Sequence, residues 1–399
     1  MSDEKTTRDL LKQVEAVRAG LMDEQRSEAV KKRRAQGAMT ARERLDYLLD
    51  DGSFREAGGL VQPKVASGLP ETPESKRRFK NLIEVTGLAA ELDMRGATAA
   101  TDAELLRVHP RSYLDAFKAL SDAGGGELGY HTPFGPGGYE IAAQSAGLVV
   151  QALRSVLSGE LQNAYALTRP PGHHALPDRP NGFCLFANIA IAIEAARAQG
   201  LAGRIAVIDW DVHHGNGTEA IFYDRDDVLT VSIHQDRNYP LDKGAAQDRG
   251  TGAGAGFNLN VPLPPGCGHN SYLEAMERLA LPAVRAFAPD VLIIACGFDA
   301  AAIDPLGRMM CHQATYGAMT TQVMELAAEV CDSRLVMAHE GGYSEVYVPF
   351  CGHEVLATMA GSSITAPDPF GETWILRQPN AEFDAFVSGL ITRMAEAAV

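Results

Sequence analysis

Residues 205–217 read IAVIDWDVHHGNG, and the rest of the chain is organised around that run. Ile205, Val207 and Ile208 surround Ala206 in a short apolar stretch, the composition of a strand covered on both faces. Polar residues crowd in as it ends: Asp209, Asp211 and His213 alternate with Trp210 and Val212. At strand period these three side chains point the same way. Open α/β sheets bind ligands at the carboxyl ends of their strands, and two carboxylates with one imidazole suit a divalent cation, most naturally zinc. Polar residues capping the next helix are the alternative at this point.

The 399 residues, 46% of them hydrophobic, can build a substantial core. A formal net charge of −15 argues against sequence-independent binding to nucleic acid and fits a small or cationic substrate better. No apolar run approaches the length of a membrane span, and Met1 is followed by the charged SDEKTTRD, so the expectation is a cytoplasmic protein with no membrane partner. The six cysteines, Cys184, Cys267, Cys296, Cys311, Cys331 and Cys351, form no CxxC pair and read as buried, reduced thiols.

Up to about Gly37 the pattern is a charged helix with Leu10, Val14, Val17 and Leu21 on a narrow apolar stripe. That stripe can lie on the protein's own surface, meet a second copy in a homo-oligomer, or belong to a solvated helix. A basic cluster, Lys31 to Arg34, follows, and Thr40 with Glu43 forms a capping box for a second helix over 41–49. The stretch RRAQGAMTARERLDYLLDDGSF resembles the opening of the carboxyltransferase subunits of biotin-dependent carboxylases, though no carboxylase chemistry follows from it. Gly and Pro are dense from Gly58 to Pro73, which puts the expected division there: a helical extension over 1–57 and a catalytic domain over 58–399.

Helices are expected at 73–85, 103–108 and 110–120, then a glycine-rich loop over 124–138 and a long apolar helix from Tyr139. Beyond it the pattern alternates. Strands are read at 164–167, 205–209, 228–233, 291–296 and 335–339, and helices at 188–198, 271–287 (with Ser271 and Glu274 as a capping box) and 315–331. This is an α/β chain with a mostly parallel sheet flanked by helices on both faces. Each strand runs into a polar loop: Arg169-Pro-Pro-Gly-His173-His174, Gly297-Phe298-Asp299, and Glu340-Gly341-Gly342-Tyr343. Tandem histidines suit proton transfer.

RPPGHHA, NGFCLFAN, IDWDVHHGNGT, SIHQD, ACGFDA, DPLGRM and EGGY, in this order, resemble the metal-dependent histone deacetylase and acetylpolyamine amidohydrolase superfamily, in its bacterial class II-like branch. The resemblance implies the arginase/deacetylase fold, with Asp211, His213 and Asp299 holding one zinc. It also implies a general base, His174, oriented by Asn216, and a supporting His173, oriented by Asp209. Tyr343 would supply the hydroxyl that receives the oxyanion. Phe183, beside Gly182, and Tyr239 would wall a substrate tunnel with Leu306 nearby. A monovalent cation, potassium, would use Asp209, Ser232 and the backbone of Asp211, His213 and Ile233, with a second site near Phe222 and Val228.

Bound by one neutral imidazole and two anionic carboxylates, zinc is a weaker Lewis acid than with three histidines, which makes a protein base necessary. The expected activity is removal of acetyl or another short acyl group from an amine, with acyl-lysine, acetylpolyamines and small amides or anilides as substrate classes. Two other readings compete. A binuclear manganese ureohydrolase needs further ligands that DVHHGNG does not provide, and an acyl-lysine reader has no use for His173, His174 and Tyr343. The chain departs from the branch in two places: residues 1–57 stand where a first strand and a YMWHDTG-like entrance loop are usual, and Tyr239 to Gly256 follows the pattern only in part.

Overall fold

A computed structural model describes residues 27–35 and 69–398. The chain divides into two compact units, Met1–Gly68 and Leu69–Val399. In the first, the described residues form one helix, Ser27–Ala35, which carries the basic cluster and an exposed Lys31 to Glu28 ion pair. The apolar stripe from Leu10 to Leu21, the capping box at Thr40 and the helix over 41–49 lie outside the described residues.

The second unit contains a small hairpin, β1 (Gly126–Glu127) with β2 (Pro133–Phe134), and a six-stranded sheet. The sheet strands are β3 (Asn163–Ala166), β4 (Ile205–Asp209), β5 (Val228–Gln235), β6 (Asn258–Leu263), β7 (Val291–Cys296) and β8 (Leu335–His339). They run in the order β3-β8-β7-β4-β5-β6, all parallel. Strand period divides the apolar side chains between two cores. Ile205 and Val207 of β4, with Ile293 of β7 and Val336 of β8, face the helices Gly138–Leu157 and Asn188–Ala198. Ala206 and Ile208, with Ile294 and Met337, face Gln313–Val330 and Val348–Ala360. Burial on both faces explains why the central strands read as unbroken apolar runs.

Several boundaries moved. The helix expected from Ser271 starts at His269 with Gly268 at its N-cap. Ser271 and Glu274 form no capping box there: the Glu274 carboxylate instead accepts from Arg278 and Ser388. That helix widens into a π turn over Met276–Ala280 just before Pro282, whose ring crowds the preceding turn and which offers no N–H. A capping box does occur at Thr101 and Glu104. β6 escaped notice in the sequence because NLNVPL mixes amides and a proline with its three apolar residues.

The chain leaves β4 toward β5 and β6 on one side, whereas β7 continues to β8 on the other. The gap between the carboxyl ends of β4 and β7 is therefore a topological switch point, where an open parallel sheet leaves a crevice. Asp209 is level with Ala295 of β7, and Cys296 with His339 of β8, so the loops after these strands emerge side by side.

Candidate active site

Asp211 and His213, just past β4, meet Asp299, just past β7. His213 Nδ1 lies 3.0 Å from Asp211 Oδ1 and 3.1 Å from Asp299 Oδ2, and the ligand atoms of the three residues all fall within 4.8 Å of one another. Both carboxylates are wholly buried. Burial and the neighbouring Asp211 charge push the Asp299 carboxyl up to about 7. Burial alone would pull His213 down, but the two carboxylates carry it up to about 10. The cluster thus holds more negative charge than its own protons comfortably match, the electrostatics of a cation site. Space is reserved as well: a Cβ on Gly341 would lie 2.1 Å from Asp299 Oδ2, and one on Gly297 2.2 Å from Asp211 Oδ2. One nitrogen and two carboxylate donors fit a zinc-type ion.

Asp209, expected to point with Asp211 and His213, stands behind them. The strand ends at Asp209 and the chain bends, so strand alternation does not extend to His213. Its Oδ1 accepts from Asp211 N at 3.0 Å and its Oδ2 from His173 Nδ1 at 2.9 Å. His174 Nδ1 donates to Asn216 Oδ1 at 2.7 Å. The two imidazoles lie 4.0 Å apart, centroid to centroid, yet their environments push them in opposite directions. Burial lowers both; for His173 the Asp211 and Asp209 charges override it and hold the ring well above its ordinary value. For His174 burial, with His173 and His213 adding to it, leaves the ring well below. Of the pair, His174 is the one held as a neutral base.

His174 and His213 form the floor of a cavity of about 350 Å³. Gly182, Phe183, Tyr239, Leu306 and Tyr343 line it, as do four residues that the sequence did not single out: Leu69, Pro70, His131 and Asn238. Phe183 packs edge to face on Tyr343 at 5.6 Å, and Tyr239 likewise on His174 at 4.9 Å. Gly182 is required by its backbone, with φ at +50°, and by crowding: a Cβ there would lie 2.6 Å from the His174 ring. Phe183 also has positive φ, +66°, held by its N–H donating to the His131 carbonyl at 3.0 Å. His131 comes from the glycine-rich segment over 124–138, which therefore forms part of the pocket wall.

Two further carboxylates set the machinery. Asp304 accepts from Tyr343 N at 2.7 Å and from Leu306 N at 2.9 Å, fixing both lining residues through their backbone. Glu340 accepts from Gly172 N at 2.6 Å and His173 N at 3.1 Å, tying the histidine loop to the end of β8. Both residues lie inside recognised motifs, but neither an Asp before Pro nor a Glu before Gly-Gly signals a backbone clamp. Ser232 sits opposite Asp209 in the β4–β5 register, with its hydroxyl 3.2 Å from His214 Nδ1 and 3.0 Å from His234 Nδ1. Ile233 follows it on β5, which begins at Val228, and Phe222 ends the helix Asn216–Phe222.

Residues 69–359 match the histone deacetylase domain. The chain belongs to the histone deacetylase family. It is 56% identical over 329 residues to the histone deacetylase-like amidohydrolase of Pseudomonas aeruginosa, covering 82% of this chain and 87% of that one. The probable deacetylase of Archaeoglobus fulgidus is 38% identical over 264 residues, 66% of this chain and 73% of that one. Among solved structures, the HD domain of HDA15 superposes with a TM-score of 0.71 at 31% identity, over 84% of this chain and 94% of that one. The arginase/deacetylase α/β fold and an enzyme acting on amide bonds follow from that membership. The family match begins at Leu69, where the second compact unit begins. Among the described residues no helix is long and apolar enough to cross a membrane.

Proposed function

We propose that this histone deacetylase family member is a zinc-dependent deacylase that removes acetyl or another short acyl group from the side chain of lysine. The observation that carries the reading is that His213 of the Asp211, His213 and Asp299 cluster, the neutral His174 and the hydroxyl-bearing Tyr343 line one cavity. Zinc held by that cluster supplies Lewis acidity toward water and toward the amide carbonyl. His174, with its Nδ1 committed to Asn216, has its other nitrogen free to take the proton from the attacking water as the new C–O bond forms. The same proton then goes to the amine nitrogen as the C–N bond breaks, and the proton left on the new carboxylic acid passes to the amine, giving a carboxylate and an ammonium. His173, anchored by Asp209, supports the charge that develops. Tyr343 donates a hydrogen bond from its hydroxyl to the oxyanion; burial and the nearby carboxylates hold its pKa well above the ordinary value, so it keeps its proton.

The tunnel favours acyl-lysine among the amines. Apart from His174 and His213 at the floor and His131, its lining is aromatic, aliphatic or amide, and no carboxylate lines it among the described residues. An uncharged aliphatic stem fits such walls, whereas an ammonium held within them would lose its hydration without a carboxylate partner in the lining. A monovalent cation at Asp209, Ser232 and the carbonyls of Asp211, His213 and Ile233, with a second near Phe222 and Val228, belongs to the same reading.

The test is hydrolysis of acetyl-lysine peptides, acetylated polyamines and simple anilides by metal-stripped and zinc-reloaded protein. Zinc-restored turnover with the peptides fastest is expected. Turnover that survives metal removal, or polyamines hydrolysed fastest, refutes it.

A further inference from the structure

We propose that Lys76 is a positioning residue for the amide hydrolysis: its ammonium, held over the ring of Tyr343, stabilises the negative charge that reaches the Tyr343 hydroxyl as the oxyanion forms. The proposal rests on the deacylase reading above and adds to it a charge that never touches the substrate.

Lys76 stands where helical spacing calls for an apolar residue. In the helix Glu74–Val85 the buried side chains are Ser75, Lys76, Phe79 and Ile83, so Lys76 shares one face with Phe79 and Ile83. It is 6% exposed, and no other lysine or arginine among the described residues is buried. A break of pattern at a buried position is expected where function requires it. An ammonium taken out of water is costly unless a partner repays it, and the partner in reach does so only in part. Lys76 Nζ lies 3.5 Å from Glu71 Oε1 and has no hydrogen-bond partner. Glu71 is already held through both oxygens by Arg169, from Nε at 3.0 Å and Nη2 at 2.8 Å. Two cations thus share one carboxylate, and the group keeps a formal positive charge.

That charge is turned toward the site. Lys76 Nζ lies over the Tyr343 ring, 6.0 Å from its centre, at the outer limit of a cation–π contact. Its field reaches His339 too: burial, with the Lys76 charge adding to it, holds that imidazole well below its ordinary value, so His339 is neutral and brings no second cation. Burial and then the charges of Asp299, Asp211 and Asp304 resist negative charge on the Tyr343 oxygen, and the ammonium opposes them. A neutral amide carbonyl gains little from a charge at this range. In the tetrahedral intermediate, negative charge spreads through the hydrogen bond onto the phenol oxygen and gains more. Only such a difference between ground and transition state accelerates the reaction.

The experiment measures hydrolysis of an acetyl-lysine peptide by zinc-loaded wild type, Lys76→Met, Lys76→Arg, Tyr343→Phe and the Lys76→Met/Tyr343→Phe double variant, with zinc content and unfolding midpoint recorded for each. A unit charge at 6.0 Å, with an effective dielectric constant of about 20, sets an upper bound of about 100-fold. The phenol oxygen lies beyond the ring centre and takes only part of the charge, so Lys76→Met should lower kcat by about tenfold with KM unchanged. Lys76→Arg should recover most of that loss. In the Tyr343→Phe background the same change should cost about twofold or less, a non-additivity that a merely structural role would not produce. A trifluoromethyl ketone analogue of acetyl-lysine, bound as its tetrahedral hydrate, should bind Lys76→Met about tenfold more weakly than wild type. Lys76→Gln, uncharged but polar, repeats the comparison if the apolar side chain disturbs the fold. Uncharged variants as fast as wild type, or a loss of equal size with and without the Tyr343 hydroxyl, overturn the proposal alone. A wild type that does not hydrolyse the peptide overturns the deacylase reading and this one with it.

Discussion

Acid weakens the tunnel wall through His109, and the size of the effect follows from where that imidazole sits. His109 is 1% exposed. Its Nδ1–H donates to the Pro177 carbonyl at 2.8 Å while its Nε2 accepts from Ala187 N at 3.0 Å, so a single neutral tautomer fastens both ends of the segment that presents Gly182 and Phe183. Burial pushes its pKa from 6.5 down to about 4, against the raising effect of the Pro177 carbonyl. Because the folded value lies below the unfolded one, the stability that His109 contributes is complete above about pH 6.5 and is lost as the pH falls through about 4. The difference between 6.5 and about 4 corresponds to about 3 kcal/mol, a large part of the net stability of an ordinary domain. Urea unfolding of the wild type and of His109→Gln at about pH 8 and about pH 4 isolates the effect, since the amide keeps a donor and an acceptor but does not titrate. The wild type should lose about 3 kcal/mol more than the variant between those two conditions. Equal acid losses in the two proteins, or an imidazole resonance titrating near 6.5 in the folded state, would refute the argument.

Other perturbations test the chemistry directly. Tyr343→Phe should keep the fold and its zinc content while turnover falls by about 10²–10³-fold, because only the oxyanion donor is lost; zinc analysis beside kcat separates the two effects. Asn216→Asp places a carboxylate on His174 Nδ1, so the acid limb of the kcat/KM profile should move to higher pH; an unmoved limb would mean that His174 is not the group titrating there. Gly341→Ala puts a methyl group 2.1 Å from Asp299 Oδ2 and 2.6 Å from Asp211 Oδ2, and should abolish zinc retention on dialysis and remove the rise in unfolding midpoint that added zinc gives the wild type; a variant that still retains zinc would refute the site.

The centre of this fold was legible in the sequence and its margins were not. β4, β7 and β8 are buried on both faces, so their sequences had to be apolar runs, and the loops after them had to carry the polar residues that the crevice uses. Edge and hairpin elements face no such demand. β6 carries Asn258 and Asn260 because their amides fasten a loop, and that role has no periodic signature. The same limit separates the residues of the site. Under the proposed function Asp211, His213 and Asp299 are recognisable because a cation would dictate donor type, and Tyr343 because an oxyanion would need a hydroxyl. Asp304, Glu340 and His109 act on backbone amides and carbonyls, which any residue supplies, so nothing in their neighbours' identities betrays them.

That division has a consequence for how the family fold can change its substrate. The reacting groups hang from the ends of β3, β4, β7 and β8, in strict register across the sheet, and a shift in any one would misplace the others. His131, Leu69, Pro70 and Tyr239 line the cavity from irregular segments outside the sheet strands. The loop after Tyr239 is held instead by the side chains of Asn258, Asn260 and His234, which reach its carbonyls. Loops of this kind can change while the strand ends that carry the polar residues of the crevice stay in register, so under the proposed function the loops are where a preference among acyl-amines would be set.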